Sequence, residues 1–381
     1  MRLSVDAQPL INSLKSGIGY FGHNIVKELC ESGDTDVVLE FFAFRHPKEK
    51  IRSAEKYHDL YGAELDHCNW FSMRAYLLLT SILPVSRDFF FKGGSDANFF
   101  FNFILPPGVK GKKSVVVHDM VFRDCPETAS FKTKTLLKMF VRGSLKRADV
   151  VFTVSEFSKE RIIHYYRIAP EKIMVIPCGV DAEIFKPCTN PEAIGMILSK
   201  YKISGSYILY LGTLEPRKNL LNLIKAYFLF TQKSTDHPKL VIAGSKGWMY
   251  GDIFEYVKNH SMEQDVIFTG YVSDEEKPLL INGAEFFCFP SLYEGFGMPI
   301  LEAMACGTPV LTSNTTSMPE VGGDACEYCD PFSISSIADK MSLLWEKPER
   351  RQELSGMGIE RSKQFRWSLS AEKVKEALSR S

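Results

Sequence analysis

The sequence lacks a surplus of charge of either sign. Its 381 residues include 46 lysine and arginine residues and 46 aspartate and glutamate residues, so the formal net charge at pH 7 is zero. Proteins that bind nucleic acid through its phosphates usually carry a basic surplus, and the overall composition indicates no such partner. The sequence also lacks an apolar run of the ~20 residues needed to span a bilayer. The most apolar stretch, residues 75–85, is short and contains Pro84.

The cysteines lack the pattern of a disulfide framework. There are nine, they are scattered along the chain, and several lie in apolar strand or helix patterns. This distribution is typical of reduced thiols in a cytosolic core. The first strand-like segment is interrupted by Asp6, so we expect no secretory signal. We therefore expect a cytoplasmic protein.

Motifs that bind metal ions are also scarce. Asp34 and Asp36 have D-x-D spacing, but they follow a helix stop at Gly33 and precede a strand, so we interpret them as a turn. Cys326 and Cys329 form a lone C-x-x-C with no second pair and no nearby histidine. A structural zinc site needs about four ligands. We predict no metal site.

The length and the order of the elements predict two α/β domains. The chain is too long for one typical core. Strand-like runs alternate with helical patterns, which predicts parallel sheets with helices on both faces. We predict doubly wound domains over residues 1–180 and 206–360, joined by a polar linker, residues 181–205. Residues 361–381 read as a helix able to pack back on the N-terminal domain.

The stretch from Pro290 to Glu302 is the strongest site signal. It follows an apolar run typical of a buried parallel strand, and it enters a helical pattern that begins at Met298 and stops at Gly307. Glu294 then lies in the loop at the carboxyl end of the strand, and Glu302 lies on the helix. Helix amides attract anionic or polar ligands, and open α/β sheets bind ligands at the carboxyl ends of strands. We therefore predict a ligand site.

A second site signal is the basic loop from Gly212 to Asn219. It follows the first strand of the second predicted domain, and it places Arg217 and Lys218 just before a helix. Two cations and free helix amides suit a diphosphate, because arginine supplies a forked donor and lysine a point charge. The alternative is a solvated basic turn, although helix starts usually prefer acidic residues.

Two candidate sites lie in the first predicted domain. His118 closes a strand-like run, where an imidazole can donate or accept a hydrogen bond or take up a proton. The alternative is a loop histidine that only makes hydrogen bonds within the protein. The segment Gly17–Gly22 matches the G-x-G-x-x-G fingerprint weakly, because residues 8–16 separate it from the strand. We interpret it as a mobile glycine loop at a helix N-terminus that approaches a phosphate or an acceptor. Nicotinamide binding and a plain loop remain alternatives.

Residues 131–147 have a helical pattern with cations on one side. These cations are Lys134, Lys138, Arg142 and Lys146. A basic amphipathic helix can lie on an anionic membrane surface. The alternative is a solvated outer face.

Together these motifs resemble those of the retaining glycosyltransferases of family 4, group 1, which have the GT-B fold. The most specific part is Glu294-Gly-Phe-Gly-x-x-x-x-Glu302, the E-x7-E motif of that family. The resemblance covers nearly the whole chain and includes Ser16–Gly19, His118-Asp119, Thr153–Ser158, Ile176–Asp181 and Gly212–Asn219. Cys178 departs from the pattern, since asparagine is more usual there. The resemblance implies two facing Rossmann-like domains with a ligand cleft between them.

The resemblance also implies a role for each candidate residue. His118 and Glu294 would be the catalytic residues, with His118 on the donor sugar. Arg217, Lys218 and Gly19 would border the donor diphosphate, and Gly17 and Gly19 would form the acceptor-side loop. Glu302 would bind the ribose. The donor-sugar side of the site would comprise Glu294, Gly295, Phe296, Gly297 and Met298.

The reaction implied by the resemblance needs no metal ion and no cofactor, because the nucleotide-sugar is the co-substrate. The opening residues 1–10 resemble those of bacterial GDP-mannose-dependent mannosyltransferases of O-antigen and polysaccharide assembly. We therefore expect transfer of α-mannose to a polyprenyl-diphosphate-linked glycan on the cytoplasmic face of the inner membrane.

The alternatives are a UDP- or dTDP-sugar donor (glucosyl- or rhamnosyltransferase), an NAD-dependent oxidoreductase, and a non-catalytic nucleotide-sugar-binding subunit. No residue distinguishes guanine from uracil on physical grounds.

Overall fold

A computed structural model of the chain describes residues 1–11, 17–83, 85–233 and 237–380. The chain divides into two compact units. The first comprises residues 1–179 and 367–381, and the second comprises residues 180–366. The segment interpreted as a linker lies within the second unit, where it contains helix α7 (Pro191–Lys200). The terminal helix, α15 (Trp367–Ser379), belongs to the first unit.

The first unit is built on a seven-stranded parallel sheet with the order β3-β2-β1-β4-β5-β6-β7. The strands are β1 Arg2–Asp6, β2 Asp36–Phe42, β3 Glu64–Cys68, β4 Ala97–Phe100, β5 Lys112–Val116, β6 Val150–Thr153 and β7 Ile173–Val175. The helices between them are α1 Gly17–Glu31, α2 Pro47–Tyr61, α3 Met73–Ile82, α4 Val121–Asp124, α5 Phe131–Arg147 and α6 Glu156–Tyr166. Helix α5 has the bounds that the sequence predicts.

The second unit contains a six-stranded parallel sheet with the order β10-β9-β8-β11-β12-β13. Its strands are β8 Tyr207–Leu211, β9 Lys239–Ala243, β10 Val266–Gly270, β11 Phe286–Phe289, β12 Val310–Ser313 and β13 Cys326–Cys329. Its further helices are α8 Leu220–Thr231, α9 Gly251–Asn259, α10 Lys277–Asn282, α11 Met298–Ala305, α12 Met318–Gly322, α13 Ile334–Glu346 and α14 Pro348–Ser362. The prediction of two doubly wound α/β domains is confirmed.

Both sheets reverse their strand order beside the first strand of the unit. In the second unit, β8 therefore pairs directly with β11, although more than 70 residues separate them in sequence. Open α/β sheets bind ligands at such a switch point, outside the carboxyl ends of the strands. The strand order thus brings together the two loops that the sequence singled out.

The helices of the first unit divide between the two faces of its sheet. Side chains of paired residues in parallel strands point to the same face, which places Phe42 and Phe100 together. Phe42 packs in a buried cluster with Tyr76 of α3. Phe100 packs in another cluster with Leu137 and Val141 of α5. Helices α3 and α5 therefore cover the same face.

The opposite face of this sheet carries α1, α2 and α15. Phe21 of α1 lies edge-on to Phe101 and to Trp367 of α15, with ring centroids 6.4 and 5.8 Å apart. Helix α2 packs beside α1, where the Tyr57 hydroxyl lies 3.1 Å from Nδ1 of His23. The terminal helix thus completes the core of the first unit.

The prediction of a glycine loop over Gly17–Gly22 is wrong, because these residues form the first turns of α1. A Cβ atom on Gly22 would lie 2.8 Å from Leu10 Cδ2 and 3.2 Å from Phe101. Glycine therefore allows a close approach of α1 to the chain beneath it, and this packing outweighs the low helix propensity of glycine. A nicotinamide fingerprint needs these glycines in a turn directly after the strand. Ser16 of the motif lies outside the described residues.

No helix in the described ranges is long and apolar enough to cross a membrane. Helix α3, which exposes Leu78 and Ile82, has ten residues.

A buried ion pair joins β2 to the segment that follows α3. Arg87 Nε lies 2.5 Å from Glu40 Oε2, and both side chains are almost fully buried. The guanidinium carbon lies 4.5 Å from the ring centre of Phe91 and 4.9 Å from that of Phe100. Burial raises the pKa of the nearby Asp6 to about 6, although the charge of Arg87 opposes this shift. Glu40 is thus the principal counter-ion of a cation held among aromatic rings.

We predict that Glu40→Ala destabilises the first unit by about 3 kcal/mol or more, because it leaves a buried cation without its counter-ion. Glu64→Ala is the control, since Glu64 pairs with Arg2 at the surface, and it should cost about 1 kcal/mol or less. Urea denaturation of both variants provides the measurement. Equal losses in the two variants would contradict this account of the pair.

Candidate active site

Two loops of the second unit are held together by direct hydrogen bonds. The Leu292 amide donates to the carbonyl oxygen of Arg217 at 2.8 Å. Asn219 adopts a left-handed conformation (φ 62°), and its Nδ2 donates to the carbonyl oxygens of Pro290 at 2.9 Å and Pro331 at 2.6 Å. The loop after β8 and the loop after β11 therefore form one structure at the carboxyl ends of neighbouring strands.

The side chain of Glu294 lies between two cations. Its Oε2 is 2.8 Å from Arg217 Nη1, and its Oε1 is 2.5 Å from Lys218 Nζ. The Ser291 hydroxyl donates a further hydrogen bond to Oε1 at 2.8 Å. Charge-assisted hydrogen bonds of this kind are short and strong. Both carboxylate oxygens of Glu294 are therefore engaged.

These cations decide the charge of Glu294. Burial alone would raise its pKa, but the charges of Arg217 and Lys218 outweigh burial and lower the pKa to about 2. Burial also lowers the pKa of Lys218, and the neighbouring Arg217 adds to that shift while Glu294 opposes it. Glu294 is thus an ionised hydrogen-bond acceptor at neutral pH and a poor proton donor.

Glu215 is a buried member of this cluster that the sequence analysis missed. Its Oε1 lies 2.6 Å from Arg217 Nε. The guanidinium is thereby fixed on two sides, by Glu215 and by Glu294. The only sequence signal was its place two residues before Arg217 in the same loop. Two carboxylates now balance two cations, so an anionic ligand must compete with Glu215 and Glu294 for them.

Arg217 and Lys218 differ in their access to solvent. The side chain of Arg217 is 23% exposed, whereas that of Lys218 is 9% exposed and lies over the Phe289 ring at 4.9 Å. Arg217 is therefore the more accessible cation for an incoming ligand. Lys218 acts from within the protein, where the lower dielectric strengthens its charge interactions.

The start of helix α11 is fixed by packing. Gly297 has φ +104°, a conformation that favours glycine, and a Cβ atom there would also lie 2.5 Å from Met318 Cε. The Ser317 hydroxyl lies 3.0 Å from the carbonyl oxygens of both Glu294 and Phe296. The turn from Glu294 through Gly295 to Met298, where α11 begins, is thus rigidly supported.

Glu302 has the opposite electrostatic setting to Glu294. It lies half-buried on α11, one turn after Met298. Burial raises its pKa to about 7, while Lys277 opposes the shift and Asp274 adds to it. Glu302 therefore titrates near neutral pH. As a carboxylate it can accept hydrogen bonds from hydroxyl groups.

His118 lies in the first unit, two residues after the end of β5. Its Nε2 is 2.7 Å from the carbonyl oxygen of Phe101, which can only accept, so Nε2 carries the proton and Nδ1 is an acceptor. Its ring lies edge-on to Phe21 at 5.1 Å. Burial lowers its pKa to about 4. His118 is therefore neutral, suited to accepting a hydrogen bond rather than to taking up a proton.

The remaining candidates of the first unit lie at the start of α1. Gly17 is the exposed first residue of this helix, and Gly19 is buried in its first turn. The structure therefore brings Arg217, Lys218 and Glu294 into direct contact within the second unit. His118, Gly17 and Gly19 belong to the first unit.

Among the described residues, no group of three or more histidine, cysteine, aspartate or glutamate side chains could hold a metal ion. Asp34 instead pairs with Lys375 of α15 at 2.8 Å. Cys326 and Cys329 are buried in β13, where burial raises the pKa of each thiol to about 12.

Comparison with solved structures defines the class of this fold. The protein Alr3699/HepE of Anabaena, whose structure was determined in complex with UDP and glucose, superimposes with a TM-score of 0.75 at 18% identity, over 99% of each chain. WaaG, a glycosyltransferase involved in lipopolysaccharide biosynthesis, gives a TM-score of 0.69 at 13% identity over the full length of both chains. The fold is that of the glycosyltransferases with two Rossmann-like domains.

Sequence comparison identifies the family. The profile described as Glycosyl transferases group 1 matches residues 200–361, and that of Glycosyltransferase Family 4 matches residues 105–184. The O-antigen chain mannosyltransferase B of Escherichia coli is 34% identical over 267 residues, which are 70% of this chain and 69% of that protein. The chain belongs to glycosyltransferase family 4, group 1, and is a glycosyltransferase. The predicted resemblance is confirmed.

We predict that Glu302→Gln is more stable than the wild type at pH 8 but not below about pH 4.5. The folded-state pKa of Glu302, about 7, lies above its ordinary value of 4.5, so the folded protein holds a proton that the unfolded chain releases. The folded state therefore loses stability as the pH rises from 4.5 through 7, and glutamine removes this loss. Thermal unfolding midpoints of both proteins across this range provide the test. A difference that does not change with pH would contradict the assigned pKa.

Proposed function

We propose that the protein transfers a hexose, α-mannose from GDP-mannose, onto a polyprenyl-diphosphate-linked glycan with retention of the anomeric configuration. The observation that carries the proposal is the cluster of Arg217, Lys218 and Glu294 at the start of α11, with Glu302 one helical turn further along. It combines cations for a diphosphate with acceptors for hydroxyl groups in one rigid site.

In this proposal Arg217 and Lys218 bind the donor diphosphate. Both cations lie beside a helix start, and their charge would stabilise the nucleotide diphosphate as it leaves. Glu302 accepts hydrogen bonds from the ribose hydroxyls. Glu294 and the backbone of Gly295–Met298 hold the hydroxyls of the donor sugar. The cations of the protein take the place that a metal ion would have, so we propose a reaction without metal.

The acceptor hydroxyl attacks the anomeric carbon on the face from which the diphosphate departs. The bond from that carbon to the acceptor oxygen forms as its bond to the diphosphate oxygen breaks, and a phosphate oxygen takes the hydroxyl proton. A nucleophilic carboxylate is not required, and Glu294 is poorly suited to that role because both its oxygens are paired with cations. Glu294 instead positions the sugar.

The first unit supplies the remaining contacts in this proposal. His118 accepts a hydrogen bond from the donor sugar through Nδ1, since its Nε2 proton is held by the Phe101 carbonyl. The start of α1, with Gly17 and Gly19, borders the diphosphate and the acceptor. The neutral state of His118 supports a positioning role in place of proton transfer.

The choice of mannose rests on the relatives. The Escherichia coli relative at 34% identity is named an O-antigen chain mannosyltransferase. The serotype-specific mannosyltransferase WbdA of the same organism is 30% identical over 301 residues, which are 76% of this chain and 36% of that longer protein. These names support a mannose donor and a polysaccharide acceptor.

We propose peripheral contact with the cytoplasmic face of the inner membrane through α5. This helix contains six lysine and arginine residues and no acidic residue. Such a helix is attracted to anionic lipid headgroups. The contact would bring the enzyme to a lipid-linked acceptor.

A donor panel tests the proposal. Purified protein is incubated with GDP-mannose, a UDP-sugar or a dTDP-sugar, with and without a polyprenyl-diphosphate-linked glycan, and nucleotide release and product are measured. We expect release of GDP that depends on the acceptor, with an α-linked product. Preference for a UDP- or dTDP-sugar would contradict the mannose assignment. Binding of donors without any product would favour a non-catalytic subunit.

We predict that Glu294→Gln lowers kcat/KM for transfer by at least about 100-fold, because it removes a charged acceptor from the donor site. Glu327→Gln is the matched control. Glu327 is also buried and also pairs with one lysine and one arginine, Lys340 and Arg350, but it lies on β13 outside the cluster. Its activity should stay close to that of the wild type, and equal losses in the two variants would refute the role given to Glu294.

A further inference from the structure

Most of the exposed large apolar side chains of the first unit lie on two parts of the chain. One part comprises α3 and the segments that flank it, where Ile82 is 81% exposed, Leu78 63% and Trp70 55%. The other part is α5. The exposed apolar residues of both parts, which we call the apolar surface, are Trp70, Leu78, Ile82, Leu83, Phe89, Phe131, Leu136 and Met139. Large exposed apolar patches on otherwise soluble folds mark interaction sites.

Both parts of the apolar surface lie on the same side of the first unit. Helices α3 and α5 cover one face of the sheet, and Leu77 of α3 and Phe140 of α5 both pack against the same buried cluster. Their exposed side chains therefore point away from the sheet in the same general direction. On α3, Leu78 and Ile82 are four residues apart and share one side of the helix.

The two helices differ in the charge that accompanies these apolar residues. Helix α5 carries six cations and no carboxylate, and its exposed residues include Lys132, Lys138, Arg142 and Lys146. Helix α3 carries only Arg74. The apolar residues of α3 thus lie beside the basic residues of α5, and neither helix contains an acidic residue.

The aromatic residues at the edge of the apolar surface have a defined arrangement. The Trp70 ring lies edge-on to Phe89 at 5.8 Å and stacks on the buried Phe90 at 5.4 Å. Phe90 in turn packs with Tyr76 of α3 at 5.1 Å. Trp70 is therefore held rigidly to α3 while more than half of it stays exposed. Tryptophan prefers the boundary between lipid headgroups and acyl chains.

We propose that α3, with Trp70 and Phe89, enters the interfacial layer of an anionic phospholipid bilayer while α5 lies on the headgroups. The cations of α5 complement an anionic surface, and the apolar residues of α3 have no charged neighbour on their own helix except Arg74. This combination is typical of interfacial anchoring, in which apolar burial and headgroup attraction act together. The inference extends the membrane contact of the proposed function, because it assigns the anchoring to α3.

The test is flotation with vesicles of phosphatidylcholine alone or mixed with phosphatidylglycerol. We expect the protein to bind the mixed vesicles. The double variant Leu78→Ser/Ile82→Ser should bind them more than about tenfold more weakly, because it loses two exposed apolar side chains that the proposal places in the bilayer. Leu60→Ser is the control, since Leu60 is 70% exposed on α2, on the opposite face of the sheet. Unchanged binding of the double variant would overturn the inference.

A second measurement does not depend on α3 substitutions. Lipids brominated on their acyl chains should quench the tryptophan fluorescence of the wild-type protein, and Trp70→Phe should remove this quenching. Quenching that persists in Trp70→Phe, or that never occurs, would overturn the placement of Trp70 in the bilayer. A change of oligomeric state in Leu78→Ser/Ile82→Ser with no effect on vesicle binding would show that a second copy covers the surface, and would also overturn it.

Vesicle binding and sugar transfer are measured separately. Donor turnover with a water-soluble glycan acceptor and no vesicles should be the same in the wild type and in Leu78→Ser/Ile82→Ser. Vesicle binding through α3 without any transfer would refute the proposed function and leave this inference intact. Sugar transfer by a protein whose vesicle binding is unaffected by the α3 substitutions and by Trp70→Phe would support the proposed function and refute this inference.

Discussion

The pairing of Glu294 with Arg217 and Lys218 is the interaction on which the candidate site depends. A buried carboxylate or ammonium group is costly by itself, and removal of one partner leaves the other uncompensated. Here the partners come from two loops that follow neighbouring strands, so the charge pairing also fixes those loops relative to each other. Site geometry and local stability therefore have the same origin.

This pairing explains why the two carboxylates of the E-x7-E motif behave differently. Glu294 is buried among cations and has a pKa of about 2. Glu302 is also desolvated, but the charge of Lys277 does not outweigh the effect of burial, and its pKa is about 7. The spacing of the motif does not distinguish the two carboxylates, whereas their environments do. In the account proposed above, neither is the nucleophile, and both position parts of one donor.

Some of this architecture could be predicted from the sequence because it depends on local patterns. Helix α5 begins after a serine N-cap, Ser130, and its bounds were predicted correctly. The loop position of Glu294 and the helical position of Glu302 followed from the strand, the glycines and the stop at Gly307. Strand β3 carries no apolar pattern that would predict it, because it lies at the edge of the sheet and its five residues include Glu64, Asp66 and His67.

Other features depend on tertiary contacts that no local pattern contains. The role of Glu215 follows from the place of Arg217, which depends on β8 pairing with β11. The helical start at Gly17 was mistaken for a loop, because the contact of Gly22 with Leu10 and Phe101 favours glycine in a helix. The lowered pKa of His118 arises from its burial, which the sequence pattern did not specify.

Calorimetric titration of GDP and of guanosine tests the central claim most directly, namely that the paired cations are the diphosphate site. We predict that Lys218→Met binds GDP more than about tenfold more weakly than the wild type, since it loses a charge-assisted contact, while guanosine binding is unchanged. Glu294→Gln should bind GDP at least as tightly as the wild type, because a competing carboxylate is removed. Equal GDP affinity in the wild type and in Lys218→Met would contradict the account.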